Sequence, residues 1–442
     1  MAQCGIVVNS GNLALDGNFT LMGNGYGIVC DRNVFLRGNI KVVSSNVALR
    51  CANGTLTIGE GSENITLQGG EDFKVLVAKD FVLGQGLIVS KPFNWGFYPE
   101  YNTIGDKDMN ITAKYVSITS LGFRLYGDGT VSDPYQIYDA DDWYDFAVNT
   151  RNGAETSGKY FELKDDITIS NITSHSEYPF SGTFDGQGHT LTLNVNASGE
   201  GAALFSYISG ATIRNLKTDG YIVSSGAYCS GLVGYALDGT NLIENCVIGT
   251  RVAAGSSYAG GVLGYVKKGP YVTLDGCVFT GDVYNSGTMT GALRGATLVG
   301  YLEPGNQLAL RYCLDASTSN KPTGRGYWPM RSDNVYHTTA GKTDYNDSDN
   351  SWRSGEKTVT AFDTKPSGIG SVVKEYGLMT AYTNGIFYDG KYYMYDDGTN
   401  GISDVTIGNE PGVWYLPNGT MLDGEPTQPG LYFKERQTYY LK

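Results

Sequence analysis

Histidine, paired cysteines and long apolar runs are what this chain has least of. The three His, His175, His189 and His337, stand far apart. None pairs with another at helical spacing or sits beside a plausible Ser or Cys nucleophile, which leaves a catalytic triad or a helix-borne metalloprotease motif unsupported. Seven Cys are present but no C-x-x-C pair, so zinc-finger spacing is missing too. No run of about eighteen apolar residues occurs, and no membrane-spanning helix is expected. Proline is also scarce, 13 residues against 61 Gly and 33 Tyr. That balance favours short strands and tight turns over helices and predicts an all-β chain.

Positive charge is the minority sign. Lys plus Arg number 32 against 45 Asp plus Glu, a net charge of 32 − 45 = −13, with no long basic run. A phosphate backbone would be repelled over most of such a surface, so nucleic acid is not an expected partner. The opening MAQCGIVVNSG lacks the basic-then-apolar order of a signal peptide. Because GIVVNSGNLAL already reads as a full repeat unit, the chain is expected to be a piece of a longer protein, and the missing signal does not bear on the compartment.

What is present is repetition. GLVGYALDGTNLIENC, Gly231 to Cys246, returns as GVLGYVKKGPYVTLDGC from Gly261 and as TLVGYLEPGNQLALRYC from Thr297. Recurrence at a fixed period marks stacked structural units, each burying its apolar face against its neighbour. Leu216, Cys246, Cys277 and Cys313 share one aligned position, with Ile213, Ile243, Leu274 and Leu310 three residues earlier; all are expected inside. Asn215 and Asn245 begin an Asn ladder at a corner, which Gly276 and Tyr312 interrupt. A shorter array precedes it: GIVVNSGNLAL, GIVCDRNVFL, ALRCANGTLTI and KVLVAKDFVLG start 22, 21 and 26 residues apart and align Val8, Cys30, Cys51 and Val77. About 21 residues suits one coil of a parallel β-helix, where equivalent strands lie about 4.8 Å apart. The aligned Cys are expected as buried free thiols, with a strained inter-coil disulfide as the alternative.

Between the arrays, Asp139 or Asp141 caps a short helix near 140–150 in which Trp143, Phe146 and Ala147 share a face. It stands where a stack needs an end cover. The fold expected is therefore a right-handed parallel β-helix in two consecutive arrays, residues 1–120 and 121–316, followed by a loop-rich, β-hairpin region over 317–442. In that last region GIFYDGKYYMYDDG sets Asp389-Gly390 between alternating aromatics, a hairpin signal.

The copies of GLVGY, each followed by a turn and a strand such as NLIENC, together with FDGQGHTL and LFSYISGATIRNL, resemble the GLUG-repeat region of bacterial surface proteins, over roughly residues 124–315. The resemblance implies architecture and an adhesin-like role; it carries no chemistry. Thr297 replaces the first Gly of the third copy, and Asn285 to Ala296 form an insertion there. The ending VWYLPNGTMLDGEPTQPGLYFKERQTYYLK resembles the C-terminal tails of secreted Bacteroidetes proteins, with KERQ in place of the usual basic NGK turn. It implies a secreted or cell-surface location.

Candidate chemistry is thin. Glycoside hydrolysis needs two carboxyl groups about 5 to 10 Å apart. Asp165 with Asp166, Asp185, and Asp141 with Asp142 are the acids to test, and each reads more simply as a corner, turn or helix-start residue. The Asp cluster from Tyr345 to Ser351 lacks EF-hand spacing. Tyr-rich strands and Trp328 offer flat faces to sugars or a partner protein. No catalytic, cofactor or metal residue is assigned. The expectation is a monomeric, non-enzymatic binding protein for a glycan or a host or other surface protein, with a carbohydrate-active β-helix enzyme (polysaccharide lyase or glycoside hydrolase) as the alternative.

Overall fold

The computed structural model describes residues 3–72, 74–93, 95–106, 111–255, 258–285, 295–317, 325–326, 331–338 and 356–395, and, beyond these, 414–415, 421–422, 425, 430–434 and 437–441. The chain is nearly all β, with several parallel sheets and one helix among the described residues. No sheet closes on itself there.

In the first section Leu13–Gly23 pairs in parallel with Val34–Ser44 through an unbroken register, Leu13 opposite Val34 and Gly23 opposite Ser44. Alternation turns Val34, Leu36, Ile40 and Val42 to one face, where they are buried. Cys30 lies opposite Val8, as the aligned repeats require. The fourth copy departs from the alignment: Cys51 pairs with Ala78, while Val77 pairs with Arg50 and is only half-buried. Val75 to Ala78 are apolar at every position, so the pattern there does not select a face, and a slip of one residue exchanges inside for outside. The parallel series also ends differently from a simple array. Tyr115–Ser120 runs antiparallel between Asn64–Gln68 and Leu87–Lys91.

In the second section each repeat visits four parallel sheets in turn. Cys229–Ser230, Val233–Asp238 and Thr240–Glu244 enter three of them, Val247–Ile248 and Arg251–Ala254 the fourth, and the circuit restarts at Ala259. Ile213, Ile243, Leu274 and Leu310 pair in succession and are fully buried. The repeat glycines are explained by backbone contact. A Cβ on Gly264 would stand 2.0 Å from the Tyr228 carbonyl oxygen, and one on Gly261 would meet both the Thr297 carbonyl at 2.0 Å and the Phe279 ring at 2.4 Å. The third copy changes both partners of that last contact. Thr297 replaces the glycine, Asp315 takes the place of Phe279, and the Thr297 hydroxyl donates to the buried Asp315 at 2.6 Å.

The corner after each Ile243-type strand is left-handed. Asn215, Asn245, Gly276 and Tyr312 have φ of 52°, 51°, 65° and 47°. Asn tolerates that region better than other side chains do, and Gly is free there. The Asn ladder exists and is longer than the sequence alone indicates: Asn245 Nδ2 donates to Asn215 Oδ1 at 2.6 Å, and Asn215 Nδ2 donates to Asp185 Oδ1 at 3.0 Å.

One step on, Cys246, Cys277 and Cys313 are buried and free, each Sγ directed at the carbonyl of the previous repeat's Ile213, Ile243 or Leu274 at 3.8, 3.4 and 3.5 Å. Cys30, Cys51 and Cys229 are buried and free as well. Burial pushes the thiols of Cys51 and Cys229 up to about 12, so neither forms thiolate near neutral pH. All six described thiols are buried, so thiol titration at pH 8 should leave them unreacted in the native protein. Denatured, unreduced protein should give a count close to the full seven; a count near one would mean that disulfides had formed.

The helix Ala140–Arg151 starts at Asp139, whose carboxylate accepts from the N–H groups of Asp141 and Asp142. Trp143 and Phe146 pack on Phe184 and Phe205 of the second section, and the Trp143 indole donates to the Asn171 carbonyl at 2.9 Å. The opposite side touches the first section, where Tyr144 packs against Phe93.

After the repeats, Gly385–Tyr388 and Lys391–Met394 form the expected hairpin, with Asp389 and Gly390 both at positive φ. The neighbouring hairpin of Val372–Glu375 and Thr380–Tyr382 straps the repeats from the side. Lys374 Nζ lies 2.6 Å from Glu244 and 3.2 Å from Asp275, which are paired residues of successive repeats. Tyr376 donates to Asp275, and the Leu378 N–H donates to Asn245 Oδ1 at 3.0 Å, ending the ladder. Partial burial works against the Lys374 charge, but the two carboxylates outweigh it and hold the ammonium above its usual value.

Candidate functional site

The last residue of each GLVGY-type motif is a tyrosine inside its strand, and the parallel register brings these together. Tyr207, Tyr235, Tyr265 and Tyr301 are successive partners, with ring centroids 5.1, 4.8 and 5.5 Å apart. Beside them Tyr228 and Tyr258 make a second column, centroids 5.6 Å apart and planes within 8°. The columns interlock edge to face: Tyr228 meets Tyr265 at 4.6 Å and Tyr258 meets Tyr301 at 4.7 Å. All six are half-buried. Tyr207–Tyr235 and Tyr265–Tyr301 lie within 16° of parallel and partly cover one another's faces, while Tyr235 and Tyr265 are tilted by 39°.

Tyr228 and Tyr258 have φ of 59° and 65°. A bulky residue in the left-handed region is strained by roughly 1–3 kcal/mol. Here that strain recurs at the same place in two successive repeats.

The first column ends at Tyr207, and a pocket of about 380 Å³ opens there. Phe93, Ile172 and Val195 supply apolar lining, while Arg151, His175, Asn171, Asn196 and Glu200 supply donors and acceptors. Arg151, in the last turn of the helix, lies over the Phe93 ring at 5.4 Å and donates to the Ser174 carbonyl at 3.3 Å. Glu200 reaches the column through the Tyr235 hydroxyl at 3.3 Å. The Tyr207 phenol is raised above its usual value by burial and then by Glu200, with Arg151 opposing. Toward the other end, Glu303 accepts from the Tyr265 hydroxyl and from the Lys268 N–H; these two bonds, in that order, hold its carboxyl below the usual range.

The residues singled out from sequence are dispersed. Asp185 is buried in the corner ladder, accepting from Arg214 Nε at 2.7 Å and from Asn215. Asp141 and Asp142 occupy the first helical turn. Asp166 is exposed and accepts from the Thr190 N–H at 2.7 Å and faces His189 at 3.3 Å; Asp165 lies beside it at the same corner. His175 alone reaches the pocket, and His337 sits on a strand opposite Asp315. Trp328 and the Tyr345–Ser351 cluster lie outside the described residues. Among the described residues no group of three His, Cys, Asp or Glu is placed to hold a metal, and no helix is long and apolar enough to cross a membrane.

Tyr-rich strands were expected to offer flat faces, but neither the placing of such a face on the repeats nor the pocket was anticipated from sequence. A signal for the face existed, since Tyr207, Tyr235, Tyr265 and Tyr301 follow one another at 28, 30 and 36 residues, the spacing of the repeats themselves. Comparison with protein families, with curated proteins and with solved structures finds no match.

Proposed function

We propose that this chain is a secreted or surface-exposed, adhesin-like binding protein, a right-handed parallel β-helix of GLUG-type repeats that binds glycan on its tyrosine face and does not turn it over. The observation that carries this is the repeated backbone strain at Tyr228 and Tyr258. Glycine would occupy both positions without strain, so the two rings are held there at a backbone cost. Half-buried tyrosines joined to a polar pocket suit sugars, which present both C–H faces and hydroxyls. Glu200 is the sole carboxylate among the pocket-lining residues, whereas glycoside hydrolysis calls for a pair.

The test pairs a glycan array with product analysis. Bound glycans should be recovered at their original length; shortened products would instead establish the carbohydrate-active alternative. A Tyr228→Gly/Tyr258→Gly variant should stay folded but melt below the parent, because five ring contacts are lost while strain is relieved at only two positions. It should lose at least tenfold in affinity. Undiminished binding by this variant would move the site elsewhere.

A further inference from the structure

Resting on that reading, we infer that the pocket beside Tyr207 receives the terminal ring of an uncharged glycan, so that the protein grips chain ends and lays the following sugars along the tyrosine column. Three observations lead there. The tyrosine column stops at Tyr207: one repeat earlier Thr173 lies opposite Phe205 and Phe180 opposite Ile208, and the ring nearest Tyr207 on that side is His175, centroids 6.4 Å apart and tilted by 56°. Tyr207 and His175 both line the pocket, so a ligand entering it meets the end of the column there. Across that end stand Phe93 and Arg151, brought from the first section and the helix terminus, so a chain lying along the column meets a wall.

The size and lining set the ligand class. A volume of 380 Å³ is near the low end for small-molecule sites, about 300–1,000 Å³, room for one or two sugar rings and not for a folded peptide segment. Asn171, Asn196, Arg151 and Glu200 give planar groups that match adjacent hydroxyls, and Phe93, Val195 and Tyr207 give the apolar side that a ring's C–H face requires. One guanidinium and one carboxylate make the formal charge of the lining zero with His175 neutral, and Glu303 follows along the column. A uronate would meet Glu200 inside the pocket, where the Arg151 guanidinium is already engaged with the Ser174 carbonyl and the Phe93 ring.

Calorimetric titration with malto-, cello-, manno- and xylo-oligosaccharides of increasing length, and with oligogalacturonides as the acidic series, tests this. One neutral series should bind from the single ring upward, more tightly with length, and oligogalacturonides at least tenfold more weakly. Asn196→Ala, at an exposed position, and Arg151→Gln should each weaken every length by about tenfold. Tyr301→Ala should leave the single ring unchanged and weaken only the longer chains. If long chains bind and Tyr301→Ala weakens them while both pocket variants bind like the parent, the end-gripping pocket is wrong and the tyrosine-face reading survives. Tighter binding of the acidic series overturns the ligand class. Absence of binding by every saccharide overturns both.

Discussion

Ile243→Asp should cost about 4 kcal/mol or more and melt the repeats on either side, whereas Lys267→Asp should stay within about half a kcal/mol of the parent. Ile243 is fully buried and paired on both sides, with Ile213 in one repeat and Leu274 in the next. Its replacement removes apolar contacts in both directions and strands a carboxylate without a partner, two losses of different origin that add. Lys267 is exposed in the turn that follows Val266, where solvent screens a change of sign. Thermal melts decide it. Equal losses, or a larger loss for Lys267→Asp, would reverse the assignment of inside and outside in the repeat.

The second large effect comes from a single methyl group. Gly264→Ala should lower stability by about 3 kcal/mol, the upper end of what overpacking costs. The new Cβ would lie 2.0 Å from the Tyr228 carbonyl oxygen and 2.9 Å from that of Gly234, both backbone atoms held by neighbouring repeats. Nothing flexible is there to yield. Gly199→Ala is the control: no atom lies within 4 Å of its Cβ position, so it should change little or stabilise slightly by restricting the unfolded chain. Denaturant midpoints of both variants measure the difference. A Gly264→Ala protein as stable as the control would show that the repeats can separate without penalty, contrary to close packing of their backbones.

These two positions also show what the sequence made legible. Ile243 and Lys267 were separable because period-two alternation and turn composition are local signals, and the same holds for the Asp139 cap, the Asp389-Gly390 hairpin and the cysteine column. The glycines were visible as a motif, but their reason, a carbonyl thirty-six residues upstream in the case of Gly264 and Tyr228, is a contact between repeats that no local pattern encodes. Register failed where alternation failed, at Val75 to Ala78. The candidate site was the least legible part. Its pocket takes Phe93 from one section, Arg151 from a helix end, and Asn196 and Tyr207 from two different sheets, so only the assembled chain brings them together. Lys374 is a similar case. Its partners lie 130 and 99 residues away, and nothing in VVKEYG indicates them.

That strap changes how the repeats bear load. Parallel ladders pulled along the direction in which repeats succeed one another open one junction at a time. Lys374 holds Glu244 and Asp275, on successive repeats, from a hairpin that belongs to neither. The junction between them cannot widen without stretching both ionic contacts at once, and Tyr376 with them. Tension there is shared sideways, much as a splint shares it across a fracture. Because the splint is ionic and partly open to solvent, salt screens it and softens this one joint, while the buried ladders on either side keep their stiffness.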